Sequence, residues 1–213
     1  MDTLDSRSLR YIDCFAQHFT TPGKVIYRIT TLAGACLPVE ERGEFTIEVK
    51  ALTEKGGEGQ QHNVQVLKKG NKFVAEPAHL EIRAGDMVLW NTPDPGIAGY
   101  AVVGRGPGGS FNSTALASEA LYTHAFGTPG EYKWVDANNG KISGVIIVRS
   151  MDSKNQEECA VWTDALSKGS VIIIEGDNAR PRKLEILAGQ TVFWAVQKAA
   201  GISITDARLI MKG

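Results

Sequence analysis

The sequence predicts an all-β protein with two sandwich units, one of them assembled from the two ends of the chain. Short alternating segments such as KVIYRIT, EFTIEVKA, HNVQVLK, DMVLWN, EYKWVD, GVIIVR and QTVFWAV are rich in β-branched and aromatic residues. Gly, Pro, Asn and Asp bound them, the pattern of a sandwich or barrel. Residues 73–90 and 177–194 repeat one another without a gap, so that Pro77/Pro181, Leu80/Leu184, Glu81/Glu185, Ile82/Ile186, Gly85/Gly189, Val88/Val192 and Trp90/Trp194 coincide. A second echo sets FGTPGEYKWV (126–135) against VEERGEFTIEV (39–49), aligning Gly130-Glu131-Tyr132 with Gly43-Glu44-Phe45 and pairing Phe111 with Phe19.

Taken in order, residues 1–60 hold the late half of a unit, preceded by a helix after Asp5-Ser6 that places Leu9, Ile12 and Phe15 at helical spacing. KALTEKGGEGQQ (50–61) is a polar connection with little to bury. Residues 62–150 form a complete unit, with HNVQV assigned as its first strand. Residues 151–169 are a helical linker capped at Asp152-Ser153, with Ala160 and Ala165 on one side. Residues 170–213 supply an early half. Two half-units expose strand edges, so the ends are expected to pair within one chain, as a circular permutation, or between chains, as a swap.

Composition narrows the function. The 213 residues carry a formal charge of −1, with Lys and Arg scattered among 24 acidic residues, which gives no basic field for nucleic acid. No apolar run is long enough to cross a bilayer. The first residues, MDTLDSRSLR, carry acids where a signal peptide needs positive charge, so a cytoplasmic protein is expected. Cys14, Cys36 and Cys159 are an odd, sparse set that suits buried or free thiols better than a disulfide framework.

The segments PAHLEIRAGDMVLWN, FGTPGEYKWV and GVIIV, in that order, resemble a cupredoxin of the plastocyanin and pseudoazurin type. The resemblance covers 62–150 continuously and the remainder in split form. It implies two cupredoxin-like Greek-key sandwiches, each of a kind that usually holds one blue copper ion for electron transfer. Such copper needs a thiolate, two imidazoles and a weak axial thioether. At the positions where the resemblance places them, this chain has Tyr100, Asp136, Asn139 and Ile142. The split unit has Ile202 or Ser203 near the first position and Val49 or Lys50 near the thiolate position. These are degenerate former copper-site positions, and neither a metal nor another cofactor is expected.

The remaining chemistry-bearing residues are dispersed. His18, His62, His79 and His124 lie on different segments, and only Cys14 and His18 are close, four apart on one face of a helix if one forms. A third ligand is missing. Gly104-Arg105-Gly106-Pro107-Gly108-Gly109 matches a dinucleotide fingerprint, but strands and not a helix follow, so a turn at the sandwich end is expected. Asp136, Asn138 and Asn139 offer oxygen ligands, and an Asx-rich turn explains them without any. No nucleophile or catalytic residue emerges. The expectation is a copper-free binding or assembly protein that forms a homo-oligomer and takes an unidentified protein or small-molecule ligand. The alternative is an oligomeric copper oxidoreductase with histidines gathered at an interface.

Overall fold

A computed structural model of the chain describes residues 3–38, 44–52, 59–150 and 156–210. The first half contains strands β1 (Asp13–Phe19), β2 (Gly23–Thr30), β3 (Phe45–Lys50), β4 (Gln61–Lys69), β5 (Lys72–Glu76), β6 (His79–Arg83), β7 (Asp86–Asn91), β8 (Ala101–Gly106) and β9 (Gly109–Asn112), with a single helical turn α1 (Leu32–Ala35). The second half contains β10 (Leu116–Ala117), β11 (Ala120–Ala125), β12 (Gly130–Asp136), β13 (Ser143–Arg149), helix α2 (Gln156–Leu166), β14 (Ser170–Glu175), β15 (Asn178–Arg180), β16 (Lys183–Leu187), β17 (Thr191–Lys198), β18 (Ala200–Ile202) and β19 (Ile204–Asp206). The protein is mostly β, as the alternating segments predict.

The strands form one eight-stranded sheet, ordered β15-β14-β17-β11-β1-β7-β4-β5, a five-stranded sheet β6-β3-β2-β8-β9, a four-stranded sheet β16-β13-β12-β19 and a small pair, β10-β18. One row of side chains runs across six strands of the large sheet: Ile172, Trp194, Tyr122, Phe15, Trp90 and Val64, each paired with the next. All six are fully buried. Neighbours in a row share a face, and this face receives both smaller sheets. Trp90 stacks on Phe111 at 5.6 Å and meets Tyr27 at 5.4 Å, while Trp194 meets Trp134 edge-on at 6.0 Å. The large sheet is thus a common back to which each half contributes four strands.

The two halves are consecutive, which corrects the split-unit expectation. β2 pairs with β3 and β8, and β3 runs parallel to β6 with Ile47 opposite Leu80. In the second half β13 runs parallel to β16 with Ile146 opposite Leu184. Among the described residues, no strand of 19–60 pairs with a strand beyond 170. The chain alternates late, early, late, early, and such a series can be divided in two phases. Because equivalent pieces are interchangeable in pattern, connectivity decides: the short 51–60 segment returns β4 to the same half, as consecutive elements tend to neighbour one another. The true echo is Phe19-Thr20-Thr21-Pro22-Gly23 with Phe126-Gly127-Thr128-Pro129-Gly130. Gly23 and Gly130 open β2 and β12 with φ of 131° and 153°, a region that favours glycine. The earlier partner Gly43 lies outside the described residues.

The N-terminal helix does not form. Residues 13–19 are β1, at the centre of the large sheet. Among the described residues, the chain's ends meet through an arm over Leu4–Leu9. Asp5 bridges Thr205, Ser6 N–H donates to Ile204 O at 2.8 Å, and Leu9 bridges Tyr100 in the first half. The linker helix is present as α2, although its expected cap, Asp152-Ser153, lies outside the described residues. Trp162 of this helix donates from Nε1 to Ala188 O at 2.7 Å. The glycine-rich 104–109 segment is the β8–β9 hairpin, in which Gly106 faces Gly109 across the turn.

Candidate functional site

The four positions at which the resemblance places copper ligands do not converge. Asp136 closes β12 and is buried. Its Oδ1 accepts the amides of Asn138 at 3.1 Å and Ser203 at 3.0 Å, and its own amide donates to Ile142 O at 2.8 Å. Ile142 packs in the core, and exposed Asn139 accepts the amide of Lys141 through Oδ1. This is the Asx-turn geometry the D-A-N-N-G pattern favours. Tyr100 lies in the other half, buried beside Phe73 at 6.2 Å between ring centres. The second-half counterpart of Tyr100, which bridges Leu9, is Ile202, which pairs with Leu116; next to it, directly before β19, is Ser203. Its hydroxyl donates to Thr114 O at 2.5 Å.

These residues do not fit a blue copper centre. Asp136 Oδ2 is buried without a partner, yet the groups around Asp136 are amides, a hydroxyl and a hydrocarbon. Among the described residues, no three His, Cys, Asp or Glu side chains gather as metal ligands would. The histidines are separately engaged. His62 Nε2 meets Asp86 Oδ2 at 2.9 Å, His79 Nδ1 meets Thr46 Oγ1 at 2.7 Å, and His124 Nδ1 meets Asp13 Oδ1 at 2.7 Å. Cys14 and His18 share one face of β1 and not of a helix, so four residues separate them by about 13 Å. Cys14 and Cys36 are free thiols, half-buried and exposed respectively. Cys159's side chain lies outside the described residues.

The seam between the halves holds the strongest polar cluster. Asp13 Oδ1 accepts both Tyr122 Oη and His124 Nδ1 at 2.7 Å, and its Oδ2 accepts the Arg10 amide at 2.9 Å. Burial pushes the Tyr122 phenol well above its ordinary range, and the adjoining Asp13 charge adds to the effect. His124 Nε2 and Tyr100 Oη are buried without partners. Its side chains are buried, and their hydrogen bonds tie β1 to β11 across the seam.

At one end of the seam His18 bridges three segments: Nδ1 meets Glu119 Oε2 and Nε2 meets Gly85 O, both at 2.8 Å. Both ring nitrogens therefore face acceptors, leaving neither for a metal or a substrate. Glu119 has φ of 70°, the left-handed region, and is the one non-glycine residue there among those described. A cleft of about 200 Å³ lies on one side of this pair, lined by Phe19, Thr21, Phe111 and Ser118. On the other side a groove of about 460 Å³, lined by Met87, Leu121, Ala195 and Gln197, opens onto the back of the large sheet. Glu119 and the back-face residues escaped sequence reasoning because β1 and β11 were not recognised as adjacent strands. Their alternation, Phe15-Ala16-Gln17-His18 beside Ala120-Leu121-Tyr122-Thr123, was the available signal.

No helix among the described residues is long and apolar enough to cross a membrane. Neither a protein-family model, nor a curated protein, nor a solved structure matches the chain. Besides the His18–Glu119 cleft and the back of the eight-stranded sheet, open clefts lie at His62, Arg83 and Asp86 and at Lys24, Arg105 and Pro107.

Proposed function

We propose that the chain is a cupredoxin-like binding or assembly protein that works without copper and without electron transfer. The observation that carries this reading is the use made of the former ligand positions. Asp136 and Ser203 hydrogen-bond within the fold, Ile142 fills core, and Tyr100 closes the corresponding end of the first half. A blue site depends on a thiolate for its charge transfer and on imidazoles for its affinity, and these positions supply neither. The Greek-key connectivity of that family belongs to the same proposal. What remains on offer is surface, with fold and function separable in the usual way.

The test is metal analysis of protein purified without chelator, followed by Cu(II) titration with visible spectroscopy. The expected result is substoichiometric copper and no intense visible band. An intense band with tightly held copper, lost on His79→Ala, would instead establish the copper oxidoreductase alternative, since His79 is an exposed histidine.

A further inference from the structure

His18 sits between two acceptors. Its Nδ1 lies 2.8 Å from Glu119 Oε2 and its Nε2 lies 2.8 Å from Gly85 O, and neither an ionised carboxylate nor a carbonyl has a proton to give. A neutral imidazole carries one N–H, so only the doubly protonated ring completes both bonds. Gly85 O is fixed by the backbone, whereas the Glu119 side chain is half-exposed and free to swing. When the ring holds a single proton, Nε2–H therefore keeps Gly85 and the Nδ1 lone pair is left facing a carboxylate.

Glu119 is held in place by its backbone. Its amide donates to Val196 O and its carbonyl accepts the His18 amide, both at 3.0 Å, at the φ of 70° where glycine is favoured. The pinned position sets the carboxylate on the partition between the cleft of about 200 Å³ and the groove of about 460 Å³, since His18 and Glu119 line both. No other charged side chain lines either one. Asp86, the residue after Gly85, is turned to the Gln60 and Arg83 amides and the His62 ring. Lys198, two residues beyond Val196 on β17, lines neither space.

We infer that the cleft binds a small organic ammonium ion, which pairs with Glu119 once His18 has given up its second proton. The inference deepens the binding reading by naming a ligand class, and it rests on that reading. Charge selects the class: a lone carboxylate between uncharged walls attracts a cation, repels an anion and is left unpaired by a neutral molecule. Phe19, Val25 and Phe111 give the cleft an apolar floor for the hydrocarbon of the ligand, and Thr21 and Ser118 lie at its exposed rim. Proton and ligand compete for one partner. Binding is accordingly strong above the range in which imidazole titrates and is lost as pH falls through that range, and by reciprocity the bound amine weakens the hold of His18 on its proton.

The experiment is an NMR shift titration of the full chain with benzylamine at pH 8 and pH 5.5, with circular dichroism at both. Saturating shifts are expected at the Ser118 and Glu119 amides, with affinity about fivefold or more weaker at pH 5.5, and none with benzyl alcohol or benzoate. Glu119→Gly suits the left-handed backbone, so it folds, and it should weaken benzylamine binding by about tenfold or more. His18→Gln should still bind benzylamine, with the difference between the two pH values gone. Glu131→Gln, at an exposed position on β12, should change neither affinity nor pH response. The inference is overturned if benzylamine gives no saturating shift at pH 8, if benzyl alcohol or benzoate binds equally well, if Glu119→Gly binds as wild type does, or if His18→Gln keeps the pH response. Copper-free protein that ignores benzylamine would lose this site and keep the copper-free reading; copper-loaded protein that binds it would do the reverse.

Discussion

Replacing Asp13 by alanine should remove a large share of the protein's stability. The carboxylate is 1% exposed and accepts two donors that are fully buried, Tyr122 Oη and His124 Nδ1, besides the Arg10 amide. Each buried donor left without a partner costs about 1–3 kcal/mol, so two of them cost about 4 kcal/mol. That is a substantial part of the roughly 5–15 kcal/mol by which domains are stable. For a chain of this length about 4 kcal/mol lowers Tm by about 8–16 °C. Urea denaturation would give the loss as a shift in midpoint at constant m-value. Tyr122→Phe alone should cost about 1.5–2 kcal/mol. The double variant should cost about 1–2 kcal/mol less than the sum of the two, since the hydroxyl orphaned by the first substitution is absent in the second. An Asp13→Ala protein within 1 kcal/mol of wild type by this assay, or an additive cycle, would refute the claim that this cluster holds the seam.

Two further outcomes follow from local geometry. Burial pushes the Asp86 carboxyl up, but the Gln60 and Arg83 amides and the His62 ring outweigh it and hold it below the usual carboxylate range. A depressed carboxylate stabilises the fold above its unfolded pKa, about 3.9, and loses that contribution as pH falls through the folded value. Stability curves of Asp86→Asn should therefore be flatter than wild type below about pH 4, and equal slopes would count against the bonding described. At Gly104 an added Cβ would lie 2.2 Å from Phe111 Cζ and 2.8 Å from Tyr27 Cβ. Gly104→Ala should cost about 1–3 kcal/mol or more through overpacking, and a neutral urea midpoint would show that the β2–β8–β9 corner is looser than the contacts indicate.

Strands were legible in the sequence, and their grouping was not. Alternation and turn residues marked β2, β3, β7, β12, β13 and β17 because each has one buried and one solvent-facing side. The similar segments 73–90 and 177–194 run over β5–β7 and β15–β17, a pattern shared by both halves. It could not fix which late half each early half joins, since Ile47 and Ile146 make equivalent contacts with Leu80 and Leu184. β1 was misread because its back face carries Cys14 and Ala16, so the polar half of the alternation is missing. Leu9, Ile12 and Phe15 then mimicked a helical stripe. Asp136, Asn139 and Ile142 lie on the one connection between β12 and β13 because they are local in sequence. Tyr100 and Ile202 fall in other halves than expected because their assignment depends on the division between halves.

The β1–β11 ladder also sets what a half-length chain could do. Cutting after β9 would leave β1 as an uncovered strand in the middle of what had been continuous sheet, with Cys14, Ala16 and Gln17 presenting unpaired backbone. Its complement in the intact protein, β11, meets it antiparallel about a local twofold, so a second copy of the same half could supply an equivalent strand in the same orientation. The intact chain is in this sense a covalently joined pair. Its connection from β9 to β11 converts a concentration-dependent association into a fixed one, and frees each half to diverge, as Tyr27 beside Phe45 and Trp134 beside Gly144 have done at equivalent positions.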